Sequence, residues 1–448
     1  MRTIRPVNAL ASLSLAALVG AGAGIVTSVP GMAAEATFVV RSHGDKPDSD
    51  PGDGRCATAG STSDARRCTL RAAIMEANAS PEADRIRFAI ETGDHSYKTL
   101  RPKSALPTIT APLAIDGTTQ AGATSNTAST GSNARMRVIL LGDDAGSAAG
   151  LQASAPVTIR GLVVDGFSRG IQLSAGSDGS KVVGNFVGVD RTGHQARPNH
   201  GSGILVNAAD VRVGSGARAD RNVISANDSA GISLGIAARR ATVQGNLIGT
   251  QRDGQSALGN GGDGVFVTGS SDHLIGGESA GQGNVIAANR GNGVSLLPIT
   301  ALDLVPRKVR ILRNSISGNE RLGIDLGADG STRNDAVPDA DGGANRLQNK
   351  PRVISAVVGA SRTSITGSLS SRRERAYRVE VFQSPGNDPE GRTFLGYVYV
   401  GTRGDGKADW TLRVDARLAL GTRITATATD MDRGDTSEFG PSAKVTAR

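Results

Sequence analysis

The sequence predicts an all-β fold: a parallel β-helix solenoid with an N-terminal capping helix and a C-terminal antiparallel β-sandwich. Three observations lead there. A short apolar tetrapeptide returns about every 30 residues through the middle of the chain. Glycine fills 60 of 448 positions, while the whole chain holds eight Phe, four Tyr and one Trp, so a large core must be built from small aliphatic side chains between tight turns. One segment, "CTLRAAIMEANAS" at 68, carries helical periodicity where almost everything after it alternates like strands.

Residues 1–34 read as a secretory leader. Arg2 and Arg5 precede an apolar stretch from Ala9 to Val26, and small residues at Gly31, Ala33 and Ala34 suit cleavage. The mature chain then has no transmembrane segment, and the expected location is secreted or bacterial cell surface. In an oxidising compartment Cys56 and Cys68, the only cysteines, are expected to form one disulfide around eleven intervening residues.

Residues 35–110 form the expected N-terminal capping region. Leu70, Ala73, Ile74 and Ala77 share one helical face, and Pro81 ends the segment. An open stack of coils exposes apolar cross-section and strand edges, which a helix with one apolar face can cover.

Residues 111–350 form the expected solenoid. "GIQL" at 170, "GILV" at 203, "GISL" at 231, "GVFV" at 264, "GVSL" at 293 and "GIDL" at 323 are spaced by 33, 28, 33, 29 and 30 residues. A second marker runs beside them in "GNFVGV" at 184, "RNVISAN" at 221, "GNLIGT" at 245, "GNVIAAN" at 283 and "RNSISGN" at 313. Stacked coils would place Ile171, Ile204, Ile232, Val265, Val294 and Ile324 in one inward ladder, and Leu173, Val206, Leu234, Val267, Leu296 and Leu326 in another. Gln172, Leu205, Ser233, Phe266, Ser295 and Asp325 would face out. Asn227, Asn289 and Asn319 are expected to stack as an amide ladder.

Residues 351–448 change character. Runs such as "YRVEVF" at 377 and "ADWTLRV" at 408, with turn clusters between them, predict an immunoglobulin-like β-sandwich that could cover the far end of the solenoid.

The segment Cys68-Thr69-Leu70-Arg71-Ala72-Ala73 resembles the motif of the secreted bacterial proteins named for Cys-Ser-Leu-Arg-Glu-Ala, departing from it at Thr69 and Ala72. "PGDGRC" at 51, "EAN" at 76, "LPTIT" at 106 and "AIDGTTQ" at 114 are similar to the same family. The resemblance implies a right-handed parallel β-helix of the pectate-lyase-like group; it says far less about activity.

Several function classes can be weighed from the residues. The net charge of +8 permits attraction to acidic polymers. Dispersed arginines without interleaved aromatics argue against nucleic acid as a partner. A glycoside hydrolase would need converging carboxylates, and the adjacent pair Asp143 and Asp144 is the obvious one. His194 and His200 read as turn or surface residues. Asp335, Asp339, Asp341 and Asn345 offer oxygen ligands among glycines, a pattern suited to structural Ca²⁺, with a polar linker or a catalytic Ca²⁺ as the other possibilities. "DKPDSDPGDG" at 45 is a weaker acidic loop of the same type. Together these features lead to an expectation of non-catalytic binding to carbohydrate or a cell-envelope component. A polysaccharide lyase or glycoside hydrolase on the β-helix is the alternative.

Overall fold

A computed structural model describes residues 35–58, 67–91, 97–384, 386 and 390–448; the leader expected over 1–34 lies outside them. Each repeat forms one coil of three short strands, as in Thr242–Gln244, Leu247–Ile248 and Val265–Thr268. Every strand pairs in parallel with its equivalent one coil on, giving parallel sheets of nine, eight and seven strands: a parallel β-helix. No helix among the described residues is long and apolar enough to cross a membrane.

The two aliphatic ladders form in the expected register. Their members are at most 2% exposed. Of the alternate positions, Gln172, Leu205, Ser233 and Phe266 face out and are half-buried, but Ser295 and Asp325 are buried. There the Asn292 amide donates to Ser295 Oγ at 2.8 Å and to Asp325 Oδ2 at 3.1 Å, closing over both.

The eight-stranded sheet is apolar on both faces. Val164, Val187, Ile224, Ile248, Ile286 and Ile316 point into the main core. Val163, Phe186, Val223 and Leu247 instead make a second core with Ala134 and Met136, from a segment laid over the outside of that sheet. Arg252 holds this cover in place, donating from Nη2 to the Ala134 carbonyl at 3.0 Å, and Arg221 bonds the Gly131 carbonyl.

Two amide ladders fix the corners. Asn222 donates to Asn246 at 2.8 Å, Asn246 to Asn284 at 3.0 Å and Asn284 to Asn314 at 2.8 Å. The expected ladder of Asn227, Asn289 and Asn319 also exists, with Asn199 added at its start and Asn260 in its middle. These two follow short insertions, bridged at Val189 with Ala196 and at Thr250 with Ala257, that occur in alternate coils and account for the alternating repeat length. At the corner residue Gly249, φ is +82° and a Cβ would lie 2.1 Å from the Ala287 carbonyl, so only glycine fits.

The capping region is continuous with the solenoid, because Thr37–Val40 and Asp84–Phe88 are the first two strands of the nine-stranded sheet. Helix α1, Leu70–Asn78, buries Leu70, Ala73, Ile74 and Ala77 against the first coils. Thr69 caps it, its hydroxyl accepting from the Ala72 N–H at 3.0 Å. Arg71 grips Asp45 through two bonds of 3.0 and 2.9 Å and donates to the Ala105 carbonyl at 2.7 Å. Glu76 accepts from the Gly52 and Gly54 N–H groups at 2.7 and 2.6 Å, and the Cys56–Cys68 disulfide is formed. The acidic loop at 45 thus wraps the helix.

The terminal module begins at Arg352, close to the expected boundary. It takes the form of one seven-stranded sheet curled nearly into a barrel around Tyr377, Val379, Val381 and Trp410. All its pairs are antiparallel except Arg352–Val358 with Ala443–Ala447, since the last strand returns beside the first in the same direction. The edge strands Thr393–Gly401 and Lys407–Val414 approach one another, which leaves little edge unpaired.

Candidate functional site

Two surfaces carry unbalanced charge. The first is the outer face of the nine-stranded sheet, where residues alternating with the inward ladder form straight columns. One column runs Thr37, Arg85, Ala114, Thr158, Lys181, Arg212, Thr242, Leu274 and Arg310. The next contains Arg87, Asp116 and Arg160 in successive rungs. Rungs of a parallel sheet are about 4.8 Å apart, so Lys181 and Arg212 stand one rung from each other. Arg85 pairs with Glu35, and Arg160 with Asp220 at 2.6 Å. Among the described residues, no carboxylate lies within 4.0 Å of Arg87, Lys181, Arg212 or Arg310. A groove of about 360 Å³ crosses the face beside Arg85, Arg87, Asp116 and Arg160. The columns contain no aromatic side chain.

The second surface lies between the last coil and the terminal module. One carboxylate oxygen from each of Asp335, Asp339 and Asp341 lies within 4.8 Å of the other two. Asp339 is buried at 1% exposure. Its Oδ2 accepts from the Asn349 N–H at 3.3 Å and from the Ser371 hydroxyl, while its Oδ1 has no hydrogen-bond partner; neither has Oδ1 of Asp341. Burial raises the pKa of Asp339, and burial together with Asp335 and Asp339 pushes that of Asp341 up to about 6. No Lys or Arg nitrogen of the described residues comes within 4.0 Å of the three. Asn345, expected with them as a fourth ligand, is elsewhere: its amide accepts from the Val309 N–H at 3.0 Å and donates to the Val309 carbonyl at 2.8 Å and the Thr436 carbonyl at 3.0 Å. It continues the backbone pairing of the last coil.

Of the other sequence candidates, Asp143 is exposed and lies 3.9 Å from Arg101 and 3.7 Å from Arg197. His194 and His200 are exposed, meeting Gln251 at 2.8 Å and Asp228 at 3.2 Å. The sequence did not single out Asp165. This residue ends the strand Leu162–Asp165 and is 2% exposed; its Oδ1 has no hydrogen bond and stands 3.8 Å from Arg197. Burial, with Asp143 and Asp190 nearby, raises its pKa to about 7. Only its position at the end of an apolar run, "LVVD", could have drawn attention to it.

No family model matches the chain, and no curated protein matches it either.

Proposed function

We propose that this is an exported bacterial protein, secreted or held at the cell surface, whose nine-stranded sheet binds an acidic polysaccharide without cleaving it. The observation that carries this is the set of exposed cations without a close carboxylate on one straight face, Lys181, Arg212 and Arg310 in one column and Arg87 in the next. An extended polyanion laid along the solenoid axis would meet them in turn and pair with cations that have no carboxylate of the described residues within 4.0 Å. Export is supported by the leader-like residues 1–34 and by the Cys56–Cys68 disulfide.

A second possibility, hydrolysis, is favoured by one observation: a carboxyl with its pKa raised to about 7, Asp165, near the exposed Asp143. A general acid must touch the leaving oxygen, however, and Asp165 is shut away from solvent. Binding is therefore the better-supported function.

The test is a titration of purified protein with polygalacturonate and with a neutral glucan, with release of reducing or unsaturated ends followed in parallel. Binding of the acidic polymer alone is expected, weakening as salt rises. The double variant Lys181→Gln/Arg212→Gln should fold normally and bind about ten-fold more weakly, a loss of about 1.4 kcal/mol. Equal binding of the neutral glucan, or unchanged affinity in the variant, would refute the proposal, and product release would establish the enzyme instead.

A further inference from the structure

The acidic cluster at the junction has a property that ordinary surface carboxylates lack. Exposed acidic groups can share a region because water screens them, but Asp339 is buried and Asp341 keeps one oxygen in a buried, unbonded position. A buried polar atom left without a hydrogen-bond partner is costly, and a buried carboxylate oxygen without a donor more so. Two such oxygens stand beside a third carboxylate; the Arg372 guanidinium acts on Asp339 and Asp341 only from a distance, and no Lys or Arg nitrogen of the described residues comes within 4.0 Å. The surroundings are also built. Asn349 donates from its amide to Asp335 Oδ1 and to the Ser370 carbonyl, both at 3.0 Å. Asp339 reaches Ser371, whose hydroxyl meets the buried Tyr377 hydroxyl at 2.9 Å. Thus the cluster is fastened to the core of the terminal module, although its carboxylates belong to the segment leaving the last coil.

We propose that Asp335, Asp339 and Asp341 bind one Ca²⁺ ion, and that the ion fixes this segment between the solenoid and the terminal module. The donor set is all oxygen, as a hard cation requires. Oxygens within 4.8 Å of one another can meet on an ion with bonds of about 2.3 to 2.6 Å in the flexible geometry Ca²⁺ accepts, whereas Mg²⁺ demands near-octahedral geometry at about 2.1 Å and gives up its water reluctantly. The site is separate from the basic sheet face, so it stands or falls independently of polysaccharide binding.

The experiment is calorimetric titration of the full chain, first stripped with a chelator, using CaCl₂ and MgCl₂ separately, with melting curves in each salt. One Ca²⁺ per chain is expected, with a dissociation constant of at most about 1 mM. A ten-fold excess over that constant should raise the melting temperature by about 1 to 3 °C, because the ion binds only the folded state. Mg²⁺ should do markedly less. Asp341→Asn, at a half-buried position, should abolish the calcium response, while Asp329→Asn, an exposed neighbour outside the cluster, should keep it. Absence of heat and of any melting shift at 10-fold that limiting concentration would overturn the proposal. So would binding that survives Asp341→Asn, or an equal response to Mg²⁺.

Discussion

At the scale of single residues, Asp165 shows how position overrides chemistry. In the unfolded chain it is an ordinary carboxyl with a pKa near 3.8; in the folded protein the value is about 7. Between these two pH values the folded state holds a proton that the unfolded state has released. Its contribution to stability is therefore complete below about pH 4 and is lost as pH rises through about 7. At about 1.4 kcal/mol per pH unit, the loss over the interval from 3.8 to about 7 is at most about 4 to 5 kcal/mol. Asp165→Asn removes the titration. Its partner Arg197 is about half exposed and stays solvated without it. Urea unfolding at pH 5 and pH 8 should show the variant gaining on the wild type as pH rises; an equal difference at both pH values would mean that Asp165 does not titrate in this range.

At the scale of elements, the amide ladders do work that short strands cannot do alone. Strands of two or three residues make few ladder hydrogen bonds, and each corner leaves backbone groups that water cannot reach. Asn260 accepts from the Asn227 N–H at 3.1 Å and from its amide at 2.9 Å, and donates to Asn289 at 2.8 Å and to the Ile224 carbonyl at 3.1 Å. Asn260→Ala would strand partners on both neighbouring coils. With about 1 to 3 kcal/mol for each buried group left unbonded, a cost of about 3 to 5 kcal/mol is expected in thermal or urea melts. A variant of wild-type stability would show that the coils hold their corners without the amides.

The whole molecule solves an end problem twice. At the start, α1 and the loop tied to Glu76 cover the first coils. At the other end, the last coil presents N–H groups with no further coil to receive them, and side chains of the terminal module take their place. Asp435 accepts from Lys308 at 2.8 Å, Thr436 from Ile311 at 3.0 Å, Glu380 from Arg313 at 2.8 Å and Glu438 from Leu326 at 3.2 Å. Glu390 ends an amide ladder by accepting from Asn319 at 3.1 Å. Phe382 and Phe439 complete the apolar cross-section. A chain ending at Lys350 would uncover all of this, and open parallel edges invite pairing with other chains. Size-exclusion chromatography with light scattering should find such a chain associated; a monodisperse monomer would show that the module is dispensable as a cap.

What the sequence alone determined is whatever repeats or acts locally. Ile232 and its ladder partners could be assigned because a period of about 30 residues brings equivalent positions together in any stacked arrangement. Helix α1, the Cys56–Cys68 pair and the Asp335, Asp339 and Asp341 group were legible because their members lie within a few turns of chain. Tertiary structure decided the rest. Asn199 and Asn260 join the ladder only once alternate insertions are folded out of the coil. Asn345 is drawn from the acidic cluster by Val309 and Thr436, and Asp165 acquires its pKa from neighbours up to dozens of residues away. The capping role of Glu380, Asp435 and Glu438 depends on chain 67 to 127 residues distant. Periodicity fixes which residues are equivalent, but desolvation and the meeting of a donor with its acceptor depend on where distant chain lies in space.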